Sequence, residues 1–121
     1  FLNPKNVDME RYLISLYHKT DGSSDNLLVM DFFAGSGTTG QAAFACGDRF
    51  VLITNNEVEP VKIKAFFKQH GVNGKKQQEQ WKLEHGDEWN EFVNANGNCS
   101  YVLRKRLDNI GGLAYKYVVC D

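Results

Sequence analysis

The chain has 121 residues, a formal net charge of −1 and 42% hydrophobic residues, which is enough for one domain with a modest core. The nearly balanced charge excludes a protein that binds nucleic acid or a membrane through its overall charge, and no apolar run approaches the roughly 20 residues of a membrane span. The 3 cysteines are widely spaced and fit neither a zinc pattern nor a disulfide framework, which predicts a cytoplasmic protein without a bound metal.

The first predicted elements are a helix over residues 6–18 and a strand within residues 27–33. The apolar residues of the helix recur at the spacing of one buried face, and they are Met9, Leu13, Leu16 and Tyr17. A polar loop, residues 19–26, leads to the strand, an apolar run that only Asp31 interrupts. A continuous apolar run of this length predicts a strand that is buried on both faces, as in a parallel sheet.

A glycine-rich turn follows this strand within VMDFFAGSGTTG, residues 29–40. A short helix is predicted from about Thr38 to Cys46, and a second strand covers residues 49–54. The next helix carries Pro60 in its first turn, where proline is tolerated. The order β-loop-α-β-α predicts an α/β fold with a mostly parallel, doubly wound sheet.

The second half of the chain gives weaker signals. Residues 71–80 are polar and are predicted to be a linker. Beyond them we predict a strand at 81–85, a short helix at 88–95, and strands at 100–107 and 113–119 that pair as a hairpin.

The glycine turn has the chemistry of a ligand site. A strand, a turn and a helix in this order present free backbone N–H groups and the positive end of a helix at one edge of the sheet. Gly35 and Gly37 allow a ligand to approach the backbone, and Gly40 allows the helix to pack closely on the strand. The pattern G-x-G-x-x-G is first associated with dinucleotides, but Asp31 would repel a pyrophosphate and hold an ammonium or sulfonium group. Alternatively, Asp31 caps the turn by accepting nearby N–H groups.

The stretch DFFAGSGTTG resembles the S-adenosylmethionine-binding motif of amino-methylating DNA methyltransferases. It is similar to the branch in which the cofactor motifs follow the catalytic motif, as in the modification subunits of type III restriction systems. FLNPK, residues 1–5, resembles the Phe-x-Thr-Pro-Lys stretch that contacts the methionine end of the cofactor in this branch. The resemblance covers residues 1–70 well and 81–121 poorly. It implies that residues 1–121 form one domain with a partial Rossmann-like methyltransferase fold.

The resemblance implies S-adenosylmethionine as the cofactor. Asp31 would bind its ammonium group, and the N–H groups and hydroxyls of residues 35–38 would bind its carboxylate. Phe33 would line the sulfonium region, since an aromatic face attracts positive charge, while Phe32 would point into the core. The implied cofactor site consists of Phe1, Pro4, Lys5, Asp31, Phe33, Ala34, Gly35, Ser36, Gly37, Thr38, Thr39, Thr54, Asn55 and Glu57.

The ribose side departs from the family pattern. Many members have an acidic residue at the end of the second strand, where this chain has Thr54. Asn55, Asn56 and Glu57 are the candidates to replace it, and Glu57 is the charged one. Glu57 also suits the first turn of the following helix, where a carboxylate is favourable for dipole reasons.

Two other positions have two interpretations each. Asp87 follows the third predicted strand, where an acid would receive the adenine amino group, but it also suits the N-cap of the following helix. The basic residues 104–106 would contact DNA phosphates, or they would lie on a solvated strand or turn.

The catalytic motif of the resembled family is missing. Methylation of an exocyclic amine there uses Asp/Asn-Pro-Pro-Tyr/Phe/Trp, whereas this chain has 2 prolines, Pro4 and Pro60, which are not adjacent. In the resembled branch that motif lies further upstream, and the chain starts at Phe1 rather than at a methionine.

We therefore expect the C-terminal, cofactor-binding part of a DNA methyltransferase of a restriction-modification system. The resemblance favours adenine N6 over cytosine N4 as the methylated group. The chain alone would be inactive. DNA would be bound through the full-length enzyme, and a restriction subunit or a second methyltransferase subunit is a candidate partner. The glycine pattern leaves two alternatives, a nicotinamide-dependent oxidoreductase domain and a non-catalytic cofactor-binding domain that serves assembly.

Overall fold

The computed structural model describes residues 5–21 and 26–120. The elements in chain order are α1 (Val7–Asp21), β1 (Leu28–Asp31), α2 (Thr38–Ala45), β2 (Arg49–Leu52), α3 (Pro60–Gln69), α4 (Lys75–Glu84), α5 (Gly86–Asn96), a π-helical segment (Asn98–Leu103) and α6 (Arg104–Asp108). The described part of the chain is therefore mixed α/β, with six α-helices and a two-stranded parallel sheet. The α/β class is confirmed.

The two strands pair in register, with Leu28 opposite Arg49 and Asp31 opposite Leu52. The connection between them is α2, which packs against the sheet. A Cβ atom built on Gly40 would lie 2.7 Å from Cδ1 of Leu52 and 3.3 Å from Cε2 of Phe50. Helix and strand can approach this closely only because Gly40 has no side chain, as the sequence predicts.

One face of the sheet is exposed in the part of the chain that the structure describes. Leu28 and Met30 on β1 are 52% and 51% exposed, and Val51 on β2 is 38% exposed. The predicted burial of both strand faces is therefore wrong for the described residues. The reason is that α2 covers the opposite face and no described element covers this one.

Helix α1 is predicted correctly, but its predicted buried face is wrong. Met9 and Leu13 are each 55% exposed and Tyr17 is 59% exposed. The helix packs on α2 through its other side, where Sγ of Cys46 lies 3.6 Å from the backbone oxygen of Arg11. An apolar helix face is thus left open to solvent among the described residues.

A buried carboxylate joins α1 to the sheet. Asp48 is 5% exposed, and its Oδ1 accepts a hydrogen bond of 2.9 Å from the backbone N–H of Leu27. Its Oδ2 lies 2.8 Å from Nε2 of His18 on α1. One side chain therefore fixes the starts of β1 and β2 and the end of α1.

Aromatic rings hold the three helices α3, α4 and α5 together. This aromatic cluster consists of Phe66, Phe67, Trp81, Trp89 and Phe92. The centroids of neighbouring rings within it are 4.2 to 5.8 Å apart. Phe67 is 1% exposed, and its ring lies against those of Phe66, Trp81 and Trp89.

Two predictions for this region are wrong. The predicted strand at 81–85 is helical in its first four residues, and the predicted linker at 71–80 is helical from Lys75 onwards. The sequence of α4, KKQQEQWKLE, consists mainly of strong helix formers, which explains the helix. The predicted helix at 88–95 is confirmed, because it lies within α5.

The predicted C-terminal hairpin is also wrong. Residues 100–107 belong to the π-helical segment and α6, where Leu103 and Leu107 are 5% and 2% exposed. Leu113 and Tyr115 pack against the cluster that these leucines form with Ala34. Residues 113–119 have no strand pairing in the described structure, so no hairpin forms.

Candidate functional site

Asp31 is the last residue of β1 and is bound to the turn that follows it. Its Oδ1 accepts a hydrogen bond of 2.9 Å from the backbone N–H of Phe33, and its Oδ2 accepts one of 2.5 Å from Oγ1 of Thr39. Nζ of Lys5 lies 3.8 Å from the same Oδ2. The carboxylate therefore caps the turn, as one interpretation predicted. It still has acceptor capacity, since an ionised carboxylate offers about four lone-pair sites.

The surroundings of Asp31 favour its ionised form. Burial by itself would raise the pKa of this carboxyl, but the hydrogen bonds from Thr39 and Phe33 and the charge of Lys5 outweigh it. The net effect lowers the pKa of Asp31 below its ordinary value. The group is therefore a stable negative charge at the edge of the sheet.

The glycine turn has the predicted backbone shape. Gly35 and Gly37 have φ angles of 52° and 83°, a left-handed region that favours glycine. Gly37 is the N-cap residue of α2, and no side chain among the described residues caps this helix. Backbone N–H groups of the first helical turn are therefore not used by a capping side chain.

The two hydroxyls of the turn are buried. Ser36 and Thr38 are 4% and 2% exposed, and their oxygens lie 3.5 Å apart. Leu103 covers one side of the turn, since its Cγ would lie 3.1 Å from a Cβ atom on Gly37. Ala34 is 7% exposed beside the same leucine. The Gly37 side of the turn is therefore closed by the C-terminal helices.

The opposite side of the turn is open. Phe33 is 88% exposed, which leaves its ring accessible to a ligand, and Phe32 is 58% exposed. The prediction that Phe32 points into the core is wrong, because residues 32 and 33 both lie in the turn after β1, where strand alternation no longer applies. Phe1 and Pro4, which the sequence also predicts in the site, lie outside the described residues.

Glu10 is a residue of this site that the sequence does not reveal. Its side chain is 12% exposed, and its Oε1 lies 3.8 Å from Nζ of Lys5, which also approaches Asp31. Its Oε2 is buried and has no hydrogen-bond partner among the residues that the structure describes. The one sequence signal is an acid in the first turn of α1, which is common for dipole reasons and therefore uninformative.

The ribose-side candidates lie in the loop between β2 and α3. Nδ2 of Asn55 donates a hydrogen bond of 2.7 Å to Oε1 of Glu57, and both residues are exposed. Oγ1 of Thr54 is 3.3 Å from the backbone oxygen of Asn55. Glu57 lies three residues before Pro60, where α3 begins, so the alternative that it belongs to the first turn of that helix is wrong.

Thr54 and Asn55 also line a groove of about 1060 Å³, together with all four residues of β2. Its other wall includes Leu103, Leu107 and residues 112–120. The groove does not include Asp31 or the glycines of the turn. The groove therefore includes part of the predicted ribose side, Thr54 and Asn55, but not the glycine turn.

The remaining candidates are Asp87 and the basic residues 104–106. Asp87 lies in the first turn of α5, whose N-cap residue is His85, so Asp87 is not the N-cap. Of residues 104–106, Arg104 and Lys105 are exposed, whereas Nη1 of Arg106 donates a hydrogen bond of 3.0 Å to Oε1 of Gln41. This run is helical rather than a strand or turn.

Neither a membrane-spanning helix nor a metal-binding cluster occurs among the described residues. Across residues 5–21 and 26–120, no helix combines the length and apolar character needed to cross a membrane. The same residues contain no group of three or more His, Cys, Asp and Glu side chains arranged to hold a metal ion.

Comparison with protein families identifies the family of the chain. A family model described as a DNA methylase matches residues 1–65, which is more than half of the chain. This range contains Asp31, the glycine turn and the loop with Glu57, whereas the π-helical segment and α6 lie beyond it. No curated protein and no solved structure matches the chain.

Proposed function

Because the chain belongs to the family of DNA N6/N4 methyltransferases, we propose that it is the S-adenosylmethionine-binding part of a DNA methyltransferase. One observation carries the proposal. The carboxylate of Asp31 stands at the carboxyl end of β1, beside a helix N-terminus that no described side chain caps. A negative charge next to N–H groups that no described side chain caps suits an amino-acid group, whose ammonium and carboxylate need partners of opposite charge.

The residues present fit the methionine end of this cofactor. Oε2 of Glu10 is a buried carboxylate oxygen with no hydrogen-bond partner among the described residues. The Glu10 side chain approaches Lys5, and Lys5 approaches Asp31. A protein ammonium group thus already lies between two acids, which is the environment that a ligand ammonium group requires. The open face of Phe33 suits a sulfonium. When bound, the cofactor would supply the electrophilic methyl group.

The cofactor site that we propose extends from residue 5 through the turn to the loop after β2. Phe1 and Pro4 belong to it by resemblance. In the turn, Ala34, Gly35, Ser36, Gly37, Thr38 and Thr39 would surround the carboxylate end of the ligand. Thr54, Asn55 and Glu57 would serve the ribose, because Glu57 can accept from both ribose hydroxyls.

The wider assignments rest on the motif resemblance. We propose that the enzyme methylates adenine N6 and belongs to a restriction-modification system. We further propose that it is cytoplasmic and that DNA binds through the full-length enzyme. A restriction subunit or second methyltransferase subunit would be its partner. Residues 1–121 would form one domain with a partial Rossmann-like fold.

Calorimetry with S-adenosylhomocysteine tests the cofactor assignment. We expect the wild-type chain to bind it and not NAD, and Asp31→Asn to weaken binding by about 10- to 100-fold, since a charged hydrogen bond contributes about 1.5–3 kcal/mol. Asp8→Asn is the matched control, because Asp8 lies on α1 with a side chain that is 89% exposed. Binding of NAD in place of S-adenosylhomocysteine would support the oxidoreductase alternative, and equal affinities of the two variants would remove Asp31 from the site.

The absence of adjacent prolines gives a second test. We expect the purified 121-residue chain to transfer no methyl group to DNA, because it lacks the motif that holds the target amine in the resembled family. Incorporation of labelled methyl groups by this chain would require a different catalytic site.

The ribose assignment is tested with Glu57→Gln. We expect a loss of about 1–2 kcal/mol in S-adenosylhomocysteine binding, the difference between a charged and a neutral acceptor. Binding of free methionine, which has no ribose, should not change. Equal losses of affinity for both ligands, or no loss for either, would show that Glu57 does not bind the ribose.

A further inference from the structure

The loop between β2 and α3 is fastened to the start of the π-helical segment through one side chain. Oδ1 of Asn56 accepts hydrogen bonds from the backbone N–H of Cys99 at 3.0 Å and from the backbone N–H of Ser100 at 2.8 Å. It also accepts one of 3.0 Å from the Ser100 hydroxyl. In addition, the backbone oxygen of Glu57 accepts a hydrogen bond of 2.9 Å from the N–H of Asn98. We call these four contacts the clasp.

Gly97 makes room for the clasp. Its φ and ψ angles of −70° and 151° are open to any residue, so backbone freedom does not explain the glycine. A Cβ atom at this position would collide with Oδ1 of Asn56 and lie 2.5 Å from its Cγ. The small residue is therefore needed for space, and a side chain here would push Asn56 out of place.

The clasp limits the hydrogen bonds that the side-chain oxygen of Asn56 can make with a ligand. A carbonyl oxygen has two lone pairs, and Oδ1 of Asn56 already accepts three hydrogen bonds, so it has no capacity left for a ribose hydroxyl. Its neighbours Asn55 and Glu57 are exposed and bound to each other. Because Asn56 is fixed on one side of the loop, Asn55 and Glu57 are presented on the opposite side of the loop.

We propose that Asn56 is a positioning residue, which holds the Asn55–Glu57 pair at the end of β2 in the orientation that a ribose diol requires. This inference rests on the proposed function, since it concerns the nucleoside end of the same site. It also assigns a role to residues 97–100, which lie beyond the range matched by the DNA methylase family model. Cofactor binding should therefore depend on a part of the chain outside that match.

Gly97→Ala in the full chain tests the proposal, because it displaces Asn56 without changing the loop itself. We expect the affinity for S-adenosylhomocysteine to fall about tenfold, comparable to the loss of one good hydrogen bond, while binding of free methionine followed by NMR titration stays the same. Gly86→Ala is the matched control, because a Cβ atom on Gly86 meets nothing within 4 Å. If Gly97→Ala fails to fold, Ser100→Ala removes one donor of the clasp and should give a smaller loss with the same selectivity.

A double-mutant cycle separates positioning from direct contact. If Asn56 acts through Glu57, adding Gly97→Ala to Glu57→Gln should cost little further affinity, whereas additive losses would overturn the proposal. Unchanged affinity of Gly97→Ala together with a lowered melting temperature would show a purely structural clasp and would also overturn it. A wild-type chain that does not bind S-adenosylhomocysteine would refute the proposed function as well. A binding wild type with an equally binding Gly97→Ala variant would refute this inference alone.

Discussion

Replacing Gly40 by valine should separate helix α2 from the sheet. A Cβ atom alone would lie 2.7 Å from Cδ1 of Leu52 and 3.3 Å from Cε2 of Phe50, both closer than ordinary van der Waals contact. Leu52 and Phe50 pack against the core cluster of Ala34, Leu103 and Leu107, so moving either side chain away from residue 40 disturbs that packing. Valine adds two further carbon atoms, and we expect the free energy of unfolding to fall by about 3 kcal/mol, the upper part of the usual range for overpacking.

Urea unfolding followed by circular dichroism measures this loss. The matched control is Gly86→Val in α5, where open space surrounds the position and a change within about 0.5 kcal/mol is expected. Valine restores part of the helix propensity that glycine lacks at both sites, so propensity does not explain a difference between them. If the two variants lose equal stability, the close approach of α2 and β2 is not what limits residue 40, and the packing argument fails.

Three other predictions concern stability. Asp48→Ala should lower the free energy of unfolding by about 1–3 kcal/mol, because the N–H of Leu27 loses a buried acceptor, and thermal unfolding checks this. The pKa of Asp31 in the folded protein is lower than its ordinary value of about 3.9. The ionised carboxylate therefore stabilises the fold above that ordinary pKa, and this stabilisation is lost as the pH falls through the lower folded-state pKa. The urea midpoint should therefore fall more steeply in wild type than in Asp31→Asn below about pH 4. Phe67→Ala should cost about 3–5 kcal/mol and Phe33→Ala less than about 0.5, and a denaturation series that ranks them otherwise would contradict the burial argument.

Local signals predict the first half of the fold. Glycines at residues 35 and 37 predict the turn, and their positive φ angles confirm it. Pro60 predicts the start of α3 and occupies its first position. These features depend on the conformations available to individual residues, so a short stretch of sequence is sufficient to recognise them.

The second half depends on contacts between distant residues. Tyr and Val in residues 113–119 favour a strand, but a strand needs a partner with which to exchange backbone hydrogen bonds, and none pairs with it in the described structure. Residues 100–107 also contain strand formers. Leu103 and Leu107, however, are spaced four apart and both are buried, which is the helical signal in this stretch.

The site shows the same division. Asp31 and the glycine turn follow from a contiguous motif, whereas Glu10 and the clasp of Asn56 do not. Glu10 joins the site because Nζ of Lys5 lies 3.8 Å from both Glu10 and Asp31, and Asn56 is held by residues more than forty positions away in the chain. Neither contact has a pattern that can be read from adjacent residues.

The aromatic cluster has a consequence for the order in which the chain folds. All of its rings come from residues 66–92, so its contacts need only short loops to close. The pairing of β1 with β2 is parallel and requires the whole of α2 as a crossover. Since chains rich in local contacts form faster than parallel sheets, we expect the helices α3 to α5 to be structured in the transition state for folding. Helices synthesised later would then form before the earlier strands pair.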